Sequence, residues 1–192
     1  PVQFNHLIYS VLTLEDLVVP ADISEQFDRR DFQSHPEKYK SNFAIYSYNA
    51  DMLLSCHFWS PGQPIYLDNS LIKDPSMRIR IIGDITCDIN GSIVSTVRPS
   101  THDIPFYDFC PDSMTEQEPF SSNNNITVMA VDTCPNALAL DTSRYFGETL
   151  SEHVLPLIIN ADKSNPVIAR ATILQDGRLT EKYEYLKDYA GL

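Results

Sequence analysis

Glycine is scarce in this chain of 192 residues: there are 6, against 13 prolines. A backbone with few glycines has few places where it can approach a phosphate closely. Neither GxGxxG nor GxxxxGK[ST] occurs, so the chain carries no phosphate-cradling turn of its own. Cations are scarce as well. The 14 Lys+Arg stand against 26 Asp+Glu, a net charge of −12, which excludes the clustered positive charge that nucleic acid or an anionic membrane surface requires. No apolar run approaches the ~20 residues of a membrane-spanning helix. The chain begins Pro1-Val2-Gln3 without Met, and it shows neither the basic nor the apolar region of a signal peptide, so an internal start is expected. Paired cysteines are missing too. Cys56, Cys87, Cys110 and Cys134 are 31, 23 and 24 residues apart, with no CxxC, and no His/Cys/Asp/Glu group has metal-ligand spacing. Reduced thiols in a cytoplasmic protein are the expectation.

What is present suits a globular protein. Hydrophobic residues make up 43% and charged residues 21%, enough apolar content for a core, and the length allows one domain or two lobes. Residues 50–59, 77–83 and 126–131 are short, largely apolar runs of the kind buried in a mostly parallel sheet, and residues 7–12 are a weaker candidate. Asp141 or Thr142 is placed to cap a helix with Phe146, Leu150, Val154, Leu157 and Ile158 at helical spacing, which Pro156 should disturb. Residues 167–174 read as a strand ended by the turn Asp176-Gly177, and Thr180 as the start of a last helix. Alternating strands and helices indicate the α/β class. The polar stretch 111–125 reads as a seam between two lobes, and 19–40 as a charged loop.

Three of the apolar runs end in polar residues, which is where parallel α/β sheets bind ligands. The run before Asp84 delivers a carboxylate that could bind a ribose, an amide or an ammonium group, or could cap a helix or pin a loop. Cys56 and His57 follow another run. As neighbours on a strand they point to opposite faces, which disfavours a nucleophile–base pair and leaves pocket lining as the milder role. Asp132, near Pro135, ends the third run as either a ligand or a turn residue. His102-Asp103 is an isolated acid–base candidate, and Tyr183, Tyr185 and Tyr189 read as packing.

At these segments the chain resembles the carboxyl-terminal half of the saccharopine dehydrogenase and lysine–ketoglutarate reductase family, within the alanine dehydrogenase/transhydrogenase-like fold. The matching stretches are Asp31-Phe32 with His35-Pro36-Glu37-Lys38-Tyr39, then Asp51-Met52-Leu53-Leu54-Ser55-Cys56-His57-Phe58-Trp59. They continue with Ile82-Gly83-Asp84-Ile85-Thr86-Cys87-Asp88-Ile89-Asn90-Gly91-Ser92-Ile93, Thr96-Val97-Arg98, Pro105-Phe106 and Asp141-Thr142-Ser143-Arg144-Tyr145-Phe146-Gly147. The resemblance implies the second half of a Rossmann-like NAD(P)-binding lobe over residues 1–109 and a returning part of a catalytic α/β lobe over 110–192. It implies NAD or NADP at Cys56, His57, Asp84, Ile85 and Thr86, and an amino-acid substrate at Asp84, Asp132 and Pro135. The implied reaction is hydride transfer at a C–N bond, saccharopine to lysine and 2-oxoglutarate or the reverse. The family's glycine-rich turn and its acid–base Lys and His belong to the amino-terminal half, so no catalytic residue is expected here, and that missing half is the expected partner. The family's Asp-Asn-Leu-Pro turn is replaced by Asp132-Thr133-Cys134-Pro135, with Ala139 where a further proline is usual. Whether Asp28, Arg29 or Arg30 reads the ribose 2′ position is left open. An alanine dehydrogenase-like deaminating enzyme and a non-catalytic α/β binding module are the alternatives.

Overall fold

The structure is a computed structural model that describes residues 6–191. The chain divides between Cys134 and Pro135 into two units.

The first unit is built on one mixed sheet. A small antiparallel pair, β1 (Val18–Pro20) and β2 (Tyr39–Ser41), precedes it. The main sheet holds β3 (Met52–Ser55), β4 (Ile81–Asp84), β5 (Tyr107–Cys110), β6 (Thr115–Gln117) and β7 (Ile126–Met129), in the order β3-β4-β7-β5-β6. β3, β4 and β7 are parallel neighbours, whereas β5 pairs antiparallel with β7 and with β6. The strands are shorter than their apolar runs because the flanking residues turn away to pack. Met77 and Ile79 are buried ahead of β4, and Ala130 and Val131 are buried after β7. One face of the sheet carries the core. Ile82, Val128, Tyr107, Phe109 and Ile126 lie against Leu67, Leu71 and Ile72 from the β3–β4 connection and Ile93 from the β4–β5 connection. Loss of water from these side chains is the main stabilising term of the unit.

Several expectations need correction. Residues 7–12 form no strand; they run without regular structure to a helical turn at Leu14–Leu17. The stretch 19–40 is more ordered than a charged loop. Asp28 caps a helix at Arg29–Ser34, its carboxylate accepting the Arg30 and Asp31 amides, while Phe32 enters the core. The polar stretch 111–125 is no seam. It holds β6, and its end is tied into the sheet by Asp108, whose Oδ2 accepts from the Ser121 amide and whose Oδ1 accepts from Thr127 at 2.8 Å. The break lies later in the chain, after the turn that follows β7.

The second unit is helical. A helix spans Ala139–His153, with no side-chain cap at Leu138, and a second spans Leu155–Ile159 with Pro156 in its first turn. The proline thus starts a new helix rather than bending the old one. Thr142 donates to the Pro135 carbonyl and does not cap. Residues 167–174 are mostly helix, not strand: Asn165 caps Pro166–Ala171, and only Leu174 enters the hairpin of β8 (Leu174–Gln175) and β9 (Arg178–Leu179). Asp176 and Gly177 form its turn, both with positive φ. Thr180 precedes a 3-10 helix, Glu181–Leu186, followed by Lys187–Ala190. Tyr185 and Tyr189 are exposed rather than packed.

Candidate site at the carboxyl ends of the parallel strands

β3 and β4 end side by side, Ser55 in register with Asp84. The Asp84 side chain is fully buried. Its Oδ1 accepts from the Thr86 amide, the Thr86 hydroxyl at 2.6 Å and the Cys87 amide, and its Oδ2 accepts from the Thr96 hydroxyl at 2.6 Å. Both oxygens are therefore spent inside the protein. Of the two roles open to Asp84 in the sequence, the geometry is that of a loop pin: it ties the start of the connection after β4 to Thr96 at its middle.

That connection is tightly curled. Cys87 and Asn90 take positive φ, unusual for residues other than glycine. At Gly91 a Cβ would stand 2.6 Å from the Asp88 Cβ and 2.8 Å from its carbonyl oxygen, so glycine is required there. The curl brings buried Ser92 to the imidazole of His57. His57, just past β3, lies between two hydroxyls, with Nδ1 at 3.1 Å from Ser55 Oγ and Nε2 at 2.6 Å from Ser92 Oγ. Its ring stands edge-on to Tyr66 at 4.7 Å. Burial holds the imidazole below its ordinary pKa, against the pull of Asp84 and Asp88. A neutral ring donates from one nitrogen and accepts at the other, and hydroxyls serve either tautomer. His57 is thus a clamp joining the end of β3 to the connection after β4.

The third strand joins the same edge. After β7, the Ala130 carbonyl accepts from the Cys87 thiol and the Ser100 amide, while its own amide donates to Ser100 Oγ. Burial raises the Cys87 thiol, and the charges of Asp132, Asp84 and Asp88 add to that. His57, Asp84, Cys87 and Asp132 therefore gather at one end of the sheet. Cys56, Ile85 and Asp132 are exposed there, and Phe58 and Ile89 add exposed apolar surface. Pro135 opens the second unit. His102 Nε2 lies 3.1 Å from the Thr133 carbonyl oxygen, a tie between loops rather than an acid–base pair with Asp103. A cavity of about 290 Å³ lies beyond Tyr66, with Asp68 and Asp74 in its wall. Asp68 caps a helix there and Asp74 accepts from Tyr48, so it is an acidic hollow poorly suited to a phosphate.

The sequence reading missed Ser55, Ser92, Thr96 and Ser100. Small hydroxyl residues carry no periodic signal, and only the pairing register and the curl of the connection bring them to this edge.

No family model matches the chain. It is 33% identical over 183 residues to the alpha-aminoadipic semialdehyde synthase of Arabidopsis thaliana, covering 92% of this chain and 17% of that protein. It is 24% identical over 191 residues to the mitochondrial alpha-aminoadipic semialdehyde synthase of Rattus norvegicus, covering 84% of this chain and 20% of that protein. The chain thus spans about a fifth of the length of these relatives. Among solved structures it is similar to an L-alanine dehydrogenase, with a TM-score of 0.51 and 19% identity over 78% of this chain and 37% of that one. That likeness concerns the fold, which is α/β of the Rossmann type. Fold and sequence together show the resemblance to the saccharopine dehydrogenase and lysine–ketoglutarate reductase family, over nearly the whole of this chain and one segment of those longer proteins.

Proposed function

We propose that the chain is part of an NAD(P)-dependent oxidoreductase acting on the C–N bond of an amino acid, with saccharopine, or lysine and 2-oxoglutarate, as substrate. The observation that carries this reading is the similarity to alpha-aminoadipic semialdehyde synthases across the segment that builds the strand ends. A nicotinamide cofactor supplies a hydride donor or acceptor at such a site. The residues present fit one part of a dinucleotide and not another. Exposed Cys56, Phe58, Ile85 and Ile89 offer an apolar wall of the kind a flat ring packs against. Neither β3 nor β4 runs directly into a helix that could hold a pyrophosphate at its N-terminus.

In this reading His57, Asp84 and Thr86 act on the ligand indirectly. Their side chains are engaged with the protein, and they hold the connection after β4 in the shape that presents Ile85 and Ile89. Asp132 is the exposed carboxylate at the same edge and the candidate for a substrate ammonium group. The nucleotide-lobe role extends over the first unit to Cys134, and the catalytic-lobe role belongs to the second. The acid–base groups and the phosphate-binding turn are assigned to the rest of the polypeptide, so this segment alone is inactive. Among the described residues no helix is long and apolar enough to cross a membrane. The four cysteines are free thiols, which suits a reducing compartment. The rat relative is named mitochondrial, and the compartment is proposed as cytoplasmic or mitochondrial.

The test is turnover by the full-length gene product, followed by nicotinamide absorbance, with saccharopine and with lysine plus 2-oxoglutarate under both cofactors. Turnover with one of these pairs is expected. Absence of turnover with all of them overturns the substrate assignment.

A further inference from the structure

The chain carries four free thiols, and the sheet sorts them. β5 runs against β7, so Cys110, at the end of β5, lies beside the start of β7 and away from the strand-end site. Cys56 follows β3, which borders β4 on the side away from β7. Cys87 and Cys134 are different. They follow β4 and β7, which are direct parallel neighbours, with Gly83 in register with Met129. Counted onward at the same offset, Cys87 falls opposite Thr133, one residue from Cys134. Both side chains then reach for the same short piece of backbone. The Cys87 thiol donates to the Ala130 carbonyl at 3.0 Å, and the Cys134 thiol donates to the Val131 carbonyl at 2.9 Å. Cys134 also adds, by its charge, to the upward shift of the Cys87 thiol.

This placement suits a covalent link. Neighbouring strands lie ~4.8 Å apart, and a disulfide spans Cα atoms roughly 4.4 to 6.8 Å apart. A thiol is a weak donor, so little holds either sulfur in place. The Ala130 carbonyl keeps the Ser100 amide when the Cys87 thiol turns away. Both cysteines are half-buried, which leaves them open to a small oxidant.

We infer that Cys87 and Cys134 form a redox modification site, which a hydroperoxide converts to a disulfide and a dithiol reductant restores. In the first step the O–O bond breaks and one oxygen passes to a sulfur, giving a sulfenic acid, while the rest of the hydroperoxide leaves as water or an alcohol. In the second step the other thiol attacks that sulfur. The S–S bond forms, and the sulfenic hydroxyl departs with the thiol proton as water. The two sulfurs lose two electrons, and the hydroperoxide takes them up. The link ties the connection after β4, which holds Ile85 and Ile89, to the turn that holds Asp132. Drawing the two together shifts the apolar wall and the carboxylate assigned above to cofactor and substrate, so oxidation shuts the site. That last effect rests on the proposed function; the link does not.

The test uses the full-length protein, reduced, cleared of reductant and treated with hydrogen peroxide. Free thiols are blocked and the chain is cut before aspartate, which puts Cys87 in residues 84–87, Cys110 in 108–111 and Cys134 in 132–140. Mass spectrometry is expected to find 84–87 joined to 132–140 within one molecule, and the two free again after dithiothreitol. Hydrogen exchange is expected to slow in both loops. Turnover is expected to fall roughly a hundredfold, the scale of a displacement of about 1 Å at a reacting centre, and to recover with dithiothreitol. Cys87→Ser and Cys134→Ser, each compared with its own untreated activity, lose this response, and Cys110→Ser keeps it. The inference is overturned if Cys56 oxidises while the 87–134 link stays unformed. It is overturned equally if either thiol joins Cys56, Cys110 or a second molecule instead, or if both serine variants lose turnover as the parent does. A link that forms with turnover unchanged overturns its control of the site. Reduced protein that turns over none of the proposed substrates refutes the proposed function, and mass and exchange then decide the link alone.

Discussion

Asp84 and Asp108 are both fully buried carboxylates whose oxygens are taken up by hydroxyl and amide donors of nearby loops. Replacing Asp84 with Ala strands the Thr86, Cys87 and Thr96 donors in the interior, and a cost of about 3 kcal/mol is expected. Asp84→Asn keeps the acceptor toward Thr86 and lets the Thr96 hydroxyl turn to accept, so roughly 1 kcal/mol is expected. Denaturant midpoints of the two variants check the ordering; equal and negligible losses would show that Asp84 does not pin the loop. His57 gives a second prediction. Its folded-state pKa lies below the ordinary 6.5, so the unfolded chain takes up the proton first as pH falls. The stability that neutral His57 contributes is complete above that pH and declines below it. His57→Gln should therefore flatten the difference in stability measured between about pH 7 and pH 5. Much of this is legible in the sequence, which carries Asp84 at a strand end with loop pinning as one of its two roles. The Ser55–His57–Ser92 bridge is not legible, because it depends on a turn forced by Gly91 and by the positive φ of Cys87 and Asn90.

Elements are legible where apolar runs meet a parallel sheet and illegible where local capping competes with periodicity. β3 and β7 fall inside the runs that announce them, and β4 extends one residue past its run, to Asp84. Residues 167–174 read as a strand ended by a turn, yet Asn165 as N-cap and Pro166 in the first turn favour a helix, and of the segment only Leu174 finds a strand partner, Leu179. The two glycines around Asp84 separate what an element tolerates from what a turn tolerates. A Cβ at Gly83 meets the ends of two flexible side chains, Leu54 and Met129, whereas one at Gly91 meets the Cβ and backbone of Asp88. Gly83→Ala is expected to change stability by less than about 1 kcal/mol and Gly91→Ala to cost roughly 2 kcal/mol or more, read from thermal or urea unfolding. A Gly91→Ala variant as stable as the parent would contradict the curl of that connection.

On the scale of the whole molecule, the acidic charge, the missing glycine motif and the α/β class are all legible in the sequence. The position of the division is not. The polar stretch 111–125 looks like a linker by composition, and only the ties from Asp108 to Ser121, Asn125 and Thr127 make it part of the sheet. The second unit shows the opposite case. Phe146, Leu150, Val154 and Leu157 recur at helical spacing as expected, yet among the described residues from 135 onward none is buried. An element with an apolar stripe and no core of its own opens readily. In the isolated chain, limited proteolysis should therefore cut residues 139–191 well before β3, β4 and β7. Equal resistance of both units would show that the second has found a core.

The bare edge of β3 also has a consequence for concentration. Natural sheets guard such edges with lysine, proline or a bulge, and Met52-Leu53-Leu54-Ser55 has none of these. Two such edges brought together in solution can continue each other's sheet, so this chain on its own is primed to pair through β3 into a dimer, to an extent that rises with its concentration.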